Sequence, residues 1–157
     1  FEQLGYQSES ATFRNAYLTG AQELRNGTLP SKPAMKSGLL AAMSVEQVFD
    51  SMAVRLKAEE VQGVDVEIDM IVTDTDERWV LGLQHCAMHA VPGQRGSRAA
   101  ATLTTSRAVL FELAEGRQAL ADAVAAGAAA IDGDQHAAEA LFAHLDVFMT
   151  NFAIVEP

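Results

Sequence analysis

His85, Cys86 and His89 form an H-C-x-x-H string, three zinc-type donors within five residues. On a helix the two histidines would share a face. The surrounding pattern is that of a turn and a strand start, where residues four apart are roughly 13 Å apart along the chain. That is too far to share one ion at about 2 Å per bond, so the string reads as turn residues plus a buried thiol. His136 and His144, with Asp134 and Glu139 nearby, would need a cleft built over them to do catalysis; they read as a helix cap followed by solvated positions. Asp65, Glu67 and Asp69 recur at strand period 2 and form an acidic row, read as a solvated face or one covered by the rest of a larger protein. "TDTDE" at 73–77 resembles part of a calcium loop but lacks the bidentate Glu at position twelve. No Ser or Cys sits in a nucleophile elbow, and "PGQRGSR" lacks the strand and Lys-Ser/Thr of a phosphate loop. No catalytic, cofactor-binding or metal residue is therefore assigned.

The elements that would position any site follow from apolar periodicity. "AYLTGAQELRNG" reads as the end of an amphipathic helix with Phe13, Tyr17, Gly20 or Ala21, and Leu24 on one stripe, stopping at Gly27. "TLPSKPAMKSG" is linker chemistry, which places a boundary near residues 28–38. Ser44 three residues before Gln47 is a capping-box spacing, and Val45, Val48, Phe49, Met52 and Leu56 form the stripe of the helix it opens. The period then changes to 2. Val64, Val66, Ile68, Met70 and Val72 face a core, and Trp79, Leu81 and Leu83 resume that face after a hairpin. A turn near His85 and Cys86 leads to a short strand at 87–91, and "AAATLTT" is a fourth. A helix capped by Thr105 or Ser106, with Val109, Leu110 and Leu113 apolar, ends at Gly116, and another with Leu120 and Val124 as its stripe ends at Gly127; a strand at "AAAID" and a closing helix begun by Asp134, with Leu141, Phe142, Leu145 and Phe148 inward, complete the order. This order predicts an α+β fold, helices on one face of a mixed five-stranded sheet.

The chain has 157 residues, 49% of them hydrophobic and 20% charged, which suits one globular domain and excludes disorder for most of its length. A net charge of −10 argues against nucleic acid and anionic membranes as partners. One cysteine cannot form an intramolecular disulfide, so the compartment stays open on that ground. No apolar run approaches a membrane span. The first residue is neither Met nor part of a signal sequence, so a piece of a longer protein is expected.

Three segments, "FRNAYLTGAQELRNG", "MSVEQVFDSMAVRL" and "IVTDTDERWVLGL", with the ending "FMTNFAIVEP", carry a resemblance. Together they resemble the sterol-carrier-protein-2-like (SCP-2-like) domain at the C-terminus of bacterial alkyl sulfatases of the metallo-β-lactamase superfamily. The resemblance implies that residues 1–27 are the last helix of that family's dimerisation domain, 28–37 a linker and 38–157 the lipid-binding domain. It implies a sheet and helices enclosing a hydrophobic tunnel, no catalytic role for this chain, and two zinc ions held by a His-x-His-x-Asp-His cluster in a domain this sequence does not contain. It also implies a homodimer through the N-terminal helix and a bacterial source, periplasmic or secreted, with a cytoplasmic location as the alternative.

The expected ligand is an alkyl sulfate, fatty acid or other long-chain lipid. The convergent apolar layer reads by itself as ordinary core, and the resemblance makes it the lining: Phe49, Met52, Ile68, Met70, Val72, Trp79, Leu81, Leu83, Leu141, Leu145, Phe148 and Phe152. Six methionines suit a pocket for chains of variable length. At roughly 0.8 kcal/mol per buried methylene, a chain of about twelve carbons gains around 9 kcal/mol before the cost of ordering. Arg55 with Lys57, Arg95 and Arg98 are the cations that could meet an anionic head group. The alternative is a structural domain that stabilises the dimeric enzyme and has no open cavity.

Overall fold

The computed structural model describes residues 1–28, 42–93, 96–147 and 153–155. Most of the 28–38 linker lies outside the described residues. The chain divides into two compact units, one holding 1–28 and 153–155, the other 42–147, among the described residues.

In the first unit, α1 (Glu2–Gln7) packs on α2 (Ala11–Asn26). The helices approach closely because Gly5 has no side chain: a Cβ there would stand 2.7 Å from Leu18 Cδ2. Arg25 grips the Glu2 carboxylate, Arg14 donates to the Ser8 carbonyl, and the Phe1 and Tyr17 rings meet edge-on at 6.1 Å. The Glu23 carboxylate accepts from the backbone N–H of Ile154 and Val155, which holds residues 153–155 against α2. Of the expected stripe, Gly20 is buried, Tyr17 and Ala21 are half-buried, and Phe13 and Leu24 are exposed.

In the second unit, Ser44 and Gln47 form the expected capping box at the start of α3 (Val45–Val54), and a 3-10 turn (Ala58–Val61) leads into the sheet. Strands β1 (Val66–Val72), β2 (Glu77–Gln84), β3 (Ala87–Pro92), β4 (Ala101–Thr105) and β5 (Ala129–Gly133) lie in the order β3-β2-β1-β4-β5. Only β1 and β4 run parallel; the other three pairings are antiparallel. The register sets Met70 opposite Trp79 and Leu103, so one face collects the apolar side chains of adjacent strands. Helices α4 (Arg107–Ala114), α5 (Leu120–Ala125) and α6 (Gln135–Ala143) complete the unit, the mixed-sheet α+β order expected from the sequence.

Helix ends follow their local chemistry. Ser106 caps α4 by accepting from Val109 N–H, and Asp134 caps α6 by accepting from His136 and Ala137. Gly116 and Gly127 close α4 and α5 with φ of 66° and 70°, the left-handed conformation that glycine reaches without cost. The β2–β3 turn has the same backbone hand but not the residue for it. His85 and Cys86 adopt φ of 50° and 61°, both positive as in a type I′ turn.

Candidate functional site: an apolar layer that surfaces in a groove

Alternation along β1 and β2 sends Ile68, Met70, Val72, Trp79, Leu81 and Leu83 to one face, where α3 adds Phe49 and Met52 and α6 adds Leu141. Nine of the ten expected lining residues that are described are buried, none of these nine more than 6% exposed, with Phe49 edge-on to Trp79 at 5.3 Å. Leu145 is partly buried against them; Phe148 and Phe152 lie outside the described residues.

The layer reaches the surface where α4, α5 and α6 meet. Leu113 and Leu120, both in the core cluster, floor a groove of about 330 Å³ with Phe142 beside them. That volume is at the lower end of the range for small-molecule sites, roughly 300–1,000 Å³. Small residues hold it open: Gly116, Ala119, Ala121 and Ala143 line its sides, while Gln118 and Glu139 supply its polar atoms. Leu113, Leu120 and Phe142 were legible in the sequence as apolar helix positions. The opening was not, because it depends on how small residues from three helices come together.

Arg55 is 7% exposed at the end of α3. Its guanidinium donates to the carbonyls of Ser51, Asp146 and Ala114 and lies 3.7 Å from the Glu115 carboxylate, itself buried. It therefore ties together the C-terminal ends of α3 and α4, where carbonyls concentrate negative charge, and the segment after α6. That segment is also bonded through main chain, Lys57 N–H to the His144 carbonyl and Asp146 N–H to the Arg55 carbonyl. The His144 ring meets Glu60 at 3.1 Å, a hydrogen bond that holds the Glu60 carboxyl below the usual carboxylate range, with Lys57 assisting.

Arg98 stands elsewhere. It forms a two-pronged contact with Asp65, 3.0 Å to each oxygen, on the sheet face opposite the apolar layer. This hydrogen bond, joined by one from Gln84, holds the Asp65 carboxyl below the usual range. The acidic row is not fully solvated: Gly96 N–H donates to Asp69 at 2.7 Å and Arg98 N–H to Glu67 at 3.2 Å, leaving Asp69 only 6% exposed. The chain's own loop at residues 96–98 lies over this part of the row. A hollow of about 200 Å³ on this face is lined by Asp69, Ile71, Arg78, Gly93 and Thr102, among others. Arg95 lies outside the described residues. Among the described residues, none of the expected head-group cations Arg55, Lys57 and Arg98 lines the groove.

His85 and Cys86 occupy the β2–β3 turn, and His89 on β3 lies across Gly82. His136 is exposed and close to Glu139, 3.5 Å away. Among the described residues, no three His, Cys, Asp or Glu side chains converge where they could hold a metal ion, and no helix is long and apolar enough to cross a membrane.

Comparison with known proteins places this arrangement. The alkyl sulfatase C-terminal family model matches residues 33–157, and the alkyl sulfatase dimerisation model matches residues 1–27. A linear primary-alkylsulfatase from a Pseudomonas species is 36% identical over 158 residues, covering 99% of this chain and 23% of the relative. The alkyl/aryl-sulfatase BDS1 of Saccharomyces cerevisiae is 35% identical, over 99% of this chain and 24% of its own length, so relatives are not confined to bacteria. The structure of the stereoselective inverting sec-alkylsulfatase Pisa1 from Pseudomonas sp. superposes with a TM-score of 0.79 at 32% identity, again over 99% of this chain and 24% of that one. The ubiquinone synthesis protein UbiJ-SCP2 shares the fold with a TM-score of 0.50 at 18% identity, over 69% of this chain and 91% of that chain. The chain thus spans about a quarter of the length of the curated relatives it matches. With its SCP2-like sheet and helices preceded by dimerisation-domain residues, the chain belongs to the alkyl sulfatase C-terminal family.

Proposed function

We propose that this chain is the non-catalytic, alkyl-chain-binding part of a zinc-dependent alkyl sulfatase, and that it recruits the aliphatic portion of the molecules on which the longer enzyme acts. The observation that carries this reading is the apolar layer surfacing between α4, α5 and α6, in a chain of alkyl sulfatase descent. An alkyl tail needs contiguous apolar surface and few polar atoms, and the groove floor of Leu113, Leu120 and Phe142 offers that. The nine buried residues behind it would line any deeper path that opens on binding. The two zinc ions belong to the part of the enzyme outside this sequence, and no residue here is given a role toward them. The dimerisation-domain match supports self-association through α1 and α2.

A second reading is favoured by the burial of those same nine residues: a structural domain that stabilises the enzyme and binds no chain. Titrating the 157-residue chain with a fluorescent fatty acid, together with mass spectrometry for a co-purified lipid, separates the two. Saturable binding displaced by dodecyl sulfate below its micelle concentration supports chain binding; no saturation and no lipid would leave the structural reading.

A further inference from the structure

We infer that the groove between α4, α5 and α6 takes a neutral long-chain alcohol, the organic product of alkyl sulfate hydrolysis, in preference to the anionic ester. The inference rests on the alkyl-chain-binding reading and names the ligand class of that site.

Its basis is the charge of the lining. The only ionisable side chain among the residues described as lining the groove is Glu139; the other polar one is Gln118. Two cations among the described residues are engaged elsewhere: Arg117, next in sequence to Gln118, holds Glu112 at 2.9 Å, and Arg55 is turned into the carbonyls of Ser51, Ala114 and Asp146. A sulfate monoester seated by its tail would bring a negative head toward Glu139 in a chain of net charge −10. Repulsion of this kind discriminates between ligands as effectively as attraction.

A hydroxyl meets complementary groups. It can donate to the Glu139 carboxylate and accept from the Gln118 amide. Glu139 Oε1 already accepts from Gln135 Nε2 at 2.7 Å and Oε2 lies 3.5 Å from His136 Nδ1, but a carboxylate offers about four acceptor positions. Hydrolysis adds water to the ester and releases hydrogen sulfate and the alcohol. The anion disperses into water, whereas the alcohol keeps its full apolar length. A groove that holds both by the tail but the alcohol more tightly takes up ester while alcohol is scarce and draws off product as it accumulates.

The test is displacement titration of the 157-residue chain with 1-decanol and decyl sulfate below the micelle concentration. The alcohol should bind about tenfold more tightly than the ester. Glu139→Gln should bring the ester to within about threefold of the alcohol. Ala121→Phe fills the groove from an exposed position and should weaken 1-decanol at least tenfold with Trp79 emission unchanged; Ala119→Phe, at another exposed lining position, repeats the test if the first variant alters that emission. Decyl sulfate binding as tightly as 1-decanol would overturn the preference while leaving the alkyl-chain reading intact. Alcohol binding indifferent to both filling substitutions would overturn the location. Binding of neither ligand would overturn this inference together with the reading beneath it.

Discussion

Replacing Arg55 with Met removes a charge that is 7% exposed and keeps most of the side-chain length. Three carbonyls, those of Ser51, Ala114 and Asp146, lose a charged donor, and Glu115 is left as a buried carboxylate without its cation. Breaking a buried ion pair on one side costs about 3–5 kcal/mol. The bonds to Ser51 and Asp146 are long at 3.3 Å and the ion pair is 3.7 Å, so the lower end of the range, about 3 kcal/mol, is expected here. For a domain of this size that is a drop in Tm of about 6–12 °C. The assay is urea or thermal unfolding followed by Trp79 emission. Trp79 is the sole tryptophan and is packed edge-on to Phe49, so it reports on the unit that contains the sheet. The double variant Arg55→Met/Glu115→Met removes both charges and should recover at least half of the loss, because replacing a buried pair by apolar groups is often near neutral. A loss under about 1 kcal/mol for Arg55→Met, or a double variant less stable than the single, would refute the picture of Arg55 as the tie between α3, α4 and the segment after α6.

Other perturbations test other links. Changing His85-Cys86 to Asn-Gly matches the two positive φ angles of the β2–β3 turn and should stabilise by about 1 kcal/mol, read as a higher Tm. Gly133→Ala should cost about 2–3 kcal/mol in urea unfolding, because φ is 109° there and a Cβ would stand 2.5 Å from the Ala100 carbonyl oxygen. At Gly82→Ala the nearest obstacle is the exposed His89 ring, which can swing away, so this change should cost far less in the same experiment. Because Arg98 lowers the folded-state pKa of Asp65, that pairing stabilises above the unfolded carboxyl value of about 3.9 and is lost as pH falls through the folded value. Asp65→Asn should therefore be less stable than the parent at pH 7 and indistinguishable from it in strong acid, when Tm is measured across pH.

How much of this was legible in the sequence depends on the range of the forces involved. Strands β1 and β2 followed from period-2 alternation and β3 to β5 from short runs between turn signals, β5 with weak propensity because of its alanines, and the starts of α3, α4 and α6 followed from caps whose hydrogen bonds span two or three residues. Helix α1 was missed because it is six residues long, has Gly5 at its centre and carries no apolar stripe. What supports it is Leu18 and Arg25 on the next helix. The acidic row on β1 was placed correctly on one face, but its covering by residues 96–98 arises from contacts about thirty residues apart that no local pattern encodes. Arg98 was singled out for its charge alone. Its pairing with Asp65 depends on where the loop returns over the sheet, so sequence reasoning could not assign its face. The groove is the same kind of case: apolar stripes on α4, α5 and α6 were visible, but the gap between them is set by Gly116, Ala119, Ala121 and Ala143 only after the helices pack.

The central claim is that this chain holds an alkyl tail, and the most direct measurement is a homologous series of straight-chain alcohols from eight to twelve carbons, titrated against the 157-residue chain below aggregation. Burial in an apolar groove predicts one saturable site whose affinity rises about fourfold per methylene until the groove is filled. Affinity that is unsaturable, or flat with chain length, would contradict it.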